Sequence, residues 1–418
     1  MKKHLLLLGF ILFFVPLNAQ QIWRQATKTE ASRSGMKVRT STPVQQQFYQ
    51  LDLAAIKLTL NNAPMRGENS NLIIPFPDSE GIMRTFRIYE APVMHPDLAG
   101  KFPDNKSYIG QCVEDRAIVA RFSVSMLGLH AMVLAANGQT YYIDPFSNDG
   151  SYYIAYARNG LTTTSSFHCL TAESEPALDI SNILTSPQDN GVYRTYRTAI
   201  CCTVEYSAFH VNAAGVGSGT LAEKKAAVMA AITTTITRVN SMFERDLSVF
   251  FQLVPNNDLL VFIDSDNLTN NDVGAMIGEG QTLMQDLIGE DNYDFGHTFG
   301  TEGGGLGGGS PCVPGQKAIG ATGLGSPVGD PWDIDYVAHE MGHQFGAAHT
   351  FNNECGGNRD PNWSYEPGSG SSIMAYAGIC GPNIQNNSDA QFFAGSIAQI
   401  RNTINGNGGS CAAITDNN

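Results

Sequence analysis

The sequence predicts an α/β domain in the second half of the chain, preceded by a β-rich half and a short apolar leader. Three observations carry that expectation. From about residue 50 to 156 the text is short strands broken by Gly, Asn, Asp and Pro. Between Leu170 and Arg194 the composition turns polar and acidic, with two prolines. Beyond it, strand-like runs alternate with helical patterns.

The leader, "MKKHLLLLGFILFFVPLNAQ", has two lysines, an apolar core from Leu5 to Val15, Pro16, and Leu-Asn-Ala before Gln20. That is the pattern of a secretory signal peptide, residues 1–19, cut after Ala19 and too short to span a bilayer. No later stretch approaches eighteen apolar residues, so a soluble, exported product is expected. The 418 residues suit two domains, 20–170 and 194–418, joined by a linker over 171–193. A formal net charge of −14 argues against nucleic acid or an anionic membrane surface as partner.

In the first half, "NLIIPFP", "MRTFRIYEA", "AIVARFSVS", "LHAMVLAANGQTYYIDPF" and "SYYIAYA" read as strands. His95, His130 and His168 are scattered there and read as surface or core histidines. After the linker, "YRTAICCTVEYSAF" reads as a buried strand. Thr220 and Glu223 form a capping box, and Leu221, Val228, Met229, Ile232, Ile236, Val239 and Phe243 follow at helical spacing as a core stripe. "SVFFQLV" and "LLVFID" read as strands, Asp272 to Ile288 as a helix, and "YDFGHTFG" as another strand. Gly303 to Gly308 formally matches G-x-G-x-x-G but opens no helix, so it is not a dinucleotide site. It reads as a flexible edge strand beside a cleft, where an extended peptide can pair through its main chain.

The chemistry concentrates in "AHEMGHQFGAAHT", Ala338 to Thr350. His339 and His343 are four apart, so they project from one helix face and can close on one metal ion. Gly346 can take positive φ cheaply, ending the helix so that His349 swings back to the same point. Glu340 lies one position off the ligands, where its carboxylate serves a water. Three histidines leave a fourth position open, the arrangement of catalytic and not structural zinc. Of eight cysteines, Cys201 and Cys202 are adjacent in a strand and point to opposite faces, so they do not bond each other.

With this motif in place the chain resembles the metzincin zinc endopeptidases, which pair such a helix with a downstream methionine turn; "GSGSSIMAYAGICG" supplies one, with Met374 under the metal. Within that clan it looks most like the reprolysin-like, adamalysin-related secreted bacterial peptidases. "YDFGHTFG", the glycine run, "CVPGQKAIG", "EPGSGSSIMAYAGICG" and a last helix ending near Cys411 carry the likeness over residues 193 to 411. The resemblance implies an α/β (α+β) catalytic domain with a twisted mixed sheet and a zinc helix, preceded by a β-rich prodomain. It also implies one catalytic zinc, disulfides Cys312–Cys411 and Cys355–Cys380, and a peptide substrate bound as an extended strand. Calcium, held in some relatives, finds no matching ligand beyond Asp294. Two positions depart from the adamalysin pattern: Thr350 stands where Asp is usual, and Tyr376 where Pro is usual.

The mechanism implied is peptide-bond hydrolysis by metal-activated water, with Glu340 as general base and then acid. Tyr376 fits two readings, a donor to the developing oxyanion, a role worth roughly 3–4 kcal/mol, or a packed turn residue. Latency by a prodomain thiolate on the open position points to Cys169, just ahead of the linker, with Cys112 as the alternative. Either could instead be buried, or disulfide-bonded to Cys201 or Cys202. The competing class is a catalytically silent, zinc-containing binding or adhesion protein.

Overall fold

The computed structural model describes residues 22–39, 41–135, 139–163, 167–171 and 191–416. The expected signal peptide and residues 172–190 of the expected linker lie outside the described residues.

The first half is a nine-stranded antiparallel sheet. Its strands are β1 (Trp23–Ala26), β3 (Gln47–Leu51), β4 (Ile73–Pro77), β5 (Met83–Glu90), β6 (Lys106–Cys112), β7 (Val119–Ser125), β8 (Gly128–Leu134), β9 (Thr140–Pro145) and β10 (Tyr152–Ala157), in the order β1-β3-β10-β9-β8-β7-β6-β5-β4. A separate ribbon pairs β2 (Ser41–Pro43) with β11 (Leu161–Thr163). Side chains alternate across the sheet. Ala131, Val133, Ile143 and Tyr153 join one core with Ile56 and Leu60 of α1 (Leu53–Leu60). Met132, Leu134, Tyr142 and Ile154 face the other way, into a core continuous with the second half. Central strands buried on both faces read as nearly unbroken apolar runs, which is why "LHAMVL" is legible as a strand but shows little alternation.

The second half is the expected α/β mixture. Strand β12 (Val192–Cys202) pairs in parallel with β13 (Val249–Leu253) and β14 (Phe295–Gly300), and β14 in parallel with β16 (Gly320–Gly323). The short β15 (Gly305–Gly307) runs antiparallel along β16 and forms the edge, as the glycine run predicted. The C-terminal β17 (Ala413–Asp416) returns antiparallel to the start of β12. Helices α2 (Val204–Ala213), α3 (Leu221–Leu247), α4 (Val273–Leu287), α5 (Ala338–Gln344) and α6 (Ala394–Asn405) complete it. Among the described residues no helix is long and apolar enough to cross a membrane.

Four expectations need correction. "VEYSAF" is the start of α2, not strand, because the Thr203 side chain caps Tyr206 N–H and ends β12. "LLVFID" is a 3₁₀ turn, Asn257–Leu260, followed by a single bridge between Val261 and Cys202. Leu221 is 55% exposed, since it is the first residue of α3 and lies beyond the packed stretch. The last helix ends at Asn405, short of Cys411.

Helix α3 organises the molecule. It opens on the Thr220–Glu223 capping box and is buried all round from Ala227 to Phe243, because it lies between the two sheets. Toward the α/β sheet it presents the apolar stripe. Toward the nine-stranded sheet it presents hydrogen-bonding groups: Asn105 donates to Thr233, Ser123 pairs with Thr234, and Arg238 reaches Asp144. The first half also closes both edges of the α/β sheet. Leu253 of β13 exchanges main-chain bonds with Val93 and His95, and Gly305 of β15 with His168 and Leu170.

Disulfides join Cys312 to Cys411 and Cys355 to Cys380. The first closes a sequence separation of 99, and cross-links of that span are worth about 4.7 kcal/mol in the chain-entropy account. The expected result is that Cys312→Ala/Cys411→Ala loses stability on that scale in guanidinium unfolding, with the metal site still assembled.

Candidate metal centre

Helix α5 is entered through Asp330 and a π-helical turn, Pro331–Val337, and the first half holds this entry: Arg158 pairs with Asp330 and with Asp335. Arg238 of α3 holds Asp333. The metal-binding helix is thus fixed at its N-terminus by buried ion pairs. It packs below on the methionine turn, where a Cβ on Gly342 would lie 2.5 Å from Met374 Sδ. Only glycine permits that approach.

The helix ends where expected. Gly346 has φ +87°, and a Cβ there would meet Thr403 Oγ1 at 2.5 Å. Gly346→Ala is therefore expected to cost about 1–3 kcal/mol in backbone strain and to lower zinc occupancy, read by thermal melting and metal analysis of the same sample.

The three histidines converge. The Nε2 atoms of His339 and His343 are 3.1 Å apart, those of His343 and His349 3.1 Å, and those of His339 and His349 3.3 Å. Each Nδ1 bonds a backbone carbonyl: His339 to Ile373 at 2.7 Å, His343 to Ala347 at 2.7 Å and His349 to Asn358 at 3.0 Å. A donor role for Nδ1 leaves every Nε2 a bare lone pair. Burial pushes His339 and His349 down to about 3 and His343 well below its usual value, so all three rings are neutral.

The fourth donor is Cys169, whose Sγ lies 3.6 Å from His343 Nε2; all four ligand atoms lie within 4.8 Å of one another. A tetrahedral zinc with bonds of about 2.0–2.1 Å to nitrogen and about 2.3 Å to sulfur needs edges of about 3.3 Å and about 3.6 Å. The three nitrogen–nitrogen edges and the sulfur's edge to His343 match those lengths. Without a cation, four lone pairs would face one another out of water, and burial together with the Glu340 carboxylate pushes the Cys169 thiol well up.

Glu340 is buried but outside this donor group, and Thr171 Oγ1 donates to its Oε2 at 3.4 Å. A Cβ on Gly305 would come within 2.2 Å of Glu340 Oε1, so the glycines of β15 let the edge strand pass directly over the acid. Tyr376 packs its ring 4.7 Å from that of His349, accepts from Asn358 Nδ2 at 2.9 Å and donates to the Cys169 carbonyl at 3.4 Å. Burial raises its phenol, so it stays a donor.

The Cys169 segment lies along β15 in parallel. Gly305 N–H donates to His168 O at 2.9 Å and Leu170 N–H to Gly305 O at 2.8 Å. Thr171 Oγ1 accepts from Gly307 N–H at 2.9 Å. Phe167 is buried against Tyr336, rings stacked with centroids 4.0 Å apart.

Other expected site residues fall elsewhere. Cys112 is in the nine-stranded sheet with its thiol on Glu114, remote from the metal group. Cys112, Cys169, Cys201 and Cys202 are all free, so neither switch candidate is disulfide-bonded. Asp294 is held through both carboxylate oxygens by Arg197, which takes up the lone pairs a second cation would need. Two groups escaped sequence reasoning. Asn358 supports His349 and Tyr376, but lies in a loop with no motif to mark it. Glu366 could have been suspected, since Thr350 leaves the methionine turn short of a carboxylate.

The family profile described as "Metallo-peptidase family M12B Reprolysin-like" matches residues 193–404. A search of curated proteins finds no match.

Proposed function

The chain belongs to the reprolysin-like metallopeptidases of family M12B, zinc-dependent enzymes that hydrolyse peptide bonds, and from that premise we propose that it is an exported endopeptidase held latent by its own N-terminal half. The observation that carries the proposal is Cys169, a thiol at the fourth corner of a three-histidine site. Export is supported by the leader over residues 1–19.

Zinc, when bound, supplies a Lewis acid that polarises the scissile carbonyl and acidifies a water. His339, His343 and His349 hold it, each ring fixed by its carbonyl. The protein's own share of the chemistry falls to four groups. Edge strand β15 aligns the peptide by main-chain hydrogen bonds, the same bonds it now makes with residues 168–170. Glu340 takes a proton from the attacking water and delivers it to the leaving nitrogen, so the proton count closes within one residue. Tyr376 donates to the oxygen that gains charge, with Asn358 holding its hydroxyl in place.

The inhibitory segment blocks all of these at once. Its thiol fills the metal corner, its backbone uses up β15, Thr171 engages Glu340, and the Cys169 carbonyl takes the donors of Tyr376 and Asn358. Cutting the chain within residues 172–190 frees the C-terminal end of this segment.

The test is hydrolysis of a protein substrate by the secreted chain before and after cleavage in that stretch, with zinc measured on both. Zinc in both and activity only after cleavage is the expected result. Zinc in both and no hydrolysis after cleavage would instead favour a binding protein on a peptidase fold.

A further inference from the structure

We propose that Glu366 is a positioning residue for the metal ligands, a buried carboxylate that clamps the segment ending at His349 to the methionine turn behind His339. The inference rests on the metal reading above and assigns a role to the residue that opens the methionine-turn stretch "EPGSGSSIMAYAGICG".

Glu366 is 5% exposed. Its Oε1 accepts from Ser371 N–H at 2.9 Å, Ser372 N–H at 3.0 Å and Ser371 Oγ at 3.3 Å. Its Oε2 accepts from Ser372 Oγ at 2.5 Å and from Thr350 Oγ1. The two oxygens thus gather five donors from two segments. One segment is His349–Thr350. The other, Ser371–Ser372, leads directly into Ile373, whose carbonyl accepts from His339 Nδ1. Backbone bonds run alongside: Glu366 N–H to Thr350 O at 2.8 Å, and Thr350 N–H to Met374 O at 3.1 Å.

The carbonyl that orients His339 therefore follows directly on a segment Glu366 holds, and His349 directly precedes the Thr350 that Glu366 binds. Thr350 carries no charge of its own, so the negative charge that ties the turn comes from a residue sixteen positions on. Partners of this kind orient ligands and raise their basicity, and losing one typically weakens metal binding or activity by about 10–100-fold.

The experiment measures zinc loss from the full chain into excess EDTA, with the melting temperature of the metal-free protein as control. Glu366→Gln keeps the volume and one acceptor oxygen. It is expected to release zinc about 10–100-fold faster while the metal-free melting temperature holds. Thr350 Oγ1 already touches Glu366 Oε2, so a carboxylate on residue 350 would reach the same donors. Adding Thr350→Asp to Glu366→Gln should restore slow release, a rescue that a merely structural role does not predict. An unchanged release rate in Glu366→Gln, or a fast rate that Thr350→Asp leaves fast, would overturn the proposal. A wild-type chain that binds no zinc would sink the metal reading and this one together. Should Glu366→Gln fail to fold, Thr350→Ala carries the test: it removes only the hydroxyl link, and release no faster than wild type would refute the clamp.

Discussion

Cys169→Ser converts the uncut, full-length chain into a working peptidase. The expectation follows from what the thiol does and what serine cannot do. A thiolate is a strong zinc ligand and a serine hydroxyl, at neutral pH, is a poor one. The substitution keeps the size of the side chain, so the main-chain bonds from His168 and Leu170 to Gly305 and the Phe167–Tyr336 stack remain to hold the strap. These are ordinary contacts, and without the metal bond the strap opens often enough for substrate to compete. A gain of at least about 10–100-fold over the uncut wild type is expected, the scale on which disturbed metal coordination is felt. It is read as hydrolysis of a quenched protein substrate. An equally silent variant would remove Cys169 from the account of latency and leave the backbone strap as the whole inhibitor.

Glu340→Gln, placed in that unlocked background, should abolish what Cys169→Ser gained. General acid–base catalysis by a positioned side chain contributes about 10²–10⁴-fold, and Glu340 handles the proton at both ends of the reaction. Zinc content should not change, because the carboxylate contacts Thr171 and lies outside the donor group. The pairing of the two readouts is what tests the role. Activity within tenfold of the parent would mean another base serves the water. Zinc lost together with activity would mean Glu340 supports the ligands and not the proton transfer.

The metal site was legible because its information is local. His339, His343, Gly346 and His349 are related by helix geometry within eleven residues, and one turn of backbone decides whether they converge. Cys169 was legible only as a residue in a suggestive place. Its approach to His343 depends on pairing with Gly305, more than a hundred residues away. Glu366 carried only the hint that Thr350 lacks a charge, and Asn358 carried none, since their partners meet only in the folded loop. The secondary-structure errors have the same origin. "LLVFID" has strand composition, but the neighbouring Asn257 spends its side chain on the Ile200 backbone and draws the chain into a 3₁₀ turn. "VEYSAF" continues the apolar text of β12, and a single capping hydroxyl on Thr203 turns it into helix.

The double closure of the α/β sheet has a colloidal consequence. Strand β13 reads VFFQL, aromatic, uncharged and free of proline, the composition that drives chains to stack edge to edge into fibrils. Natural proteins blunt such margins with lysine, bulges or a cover. Here the cover is the first half, through the bridge at Leu253 and through Arg121, whose guanidinium lies 5.5 Å over the Phe250 ring. Edge strand β15 is masked at the same time by the segment that carries Cys169. Under the proposed latency and export, one N-terminal half would guard against two hazards, cutting too early and clumping in transit, and its departure would lift both protections together.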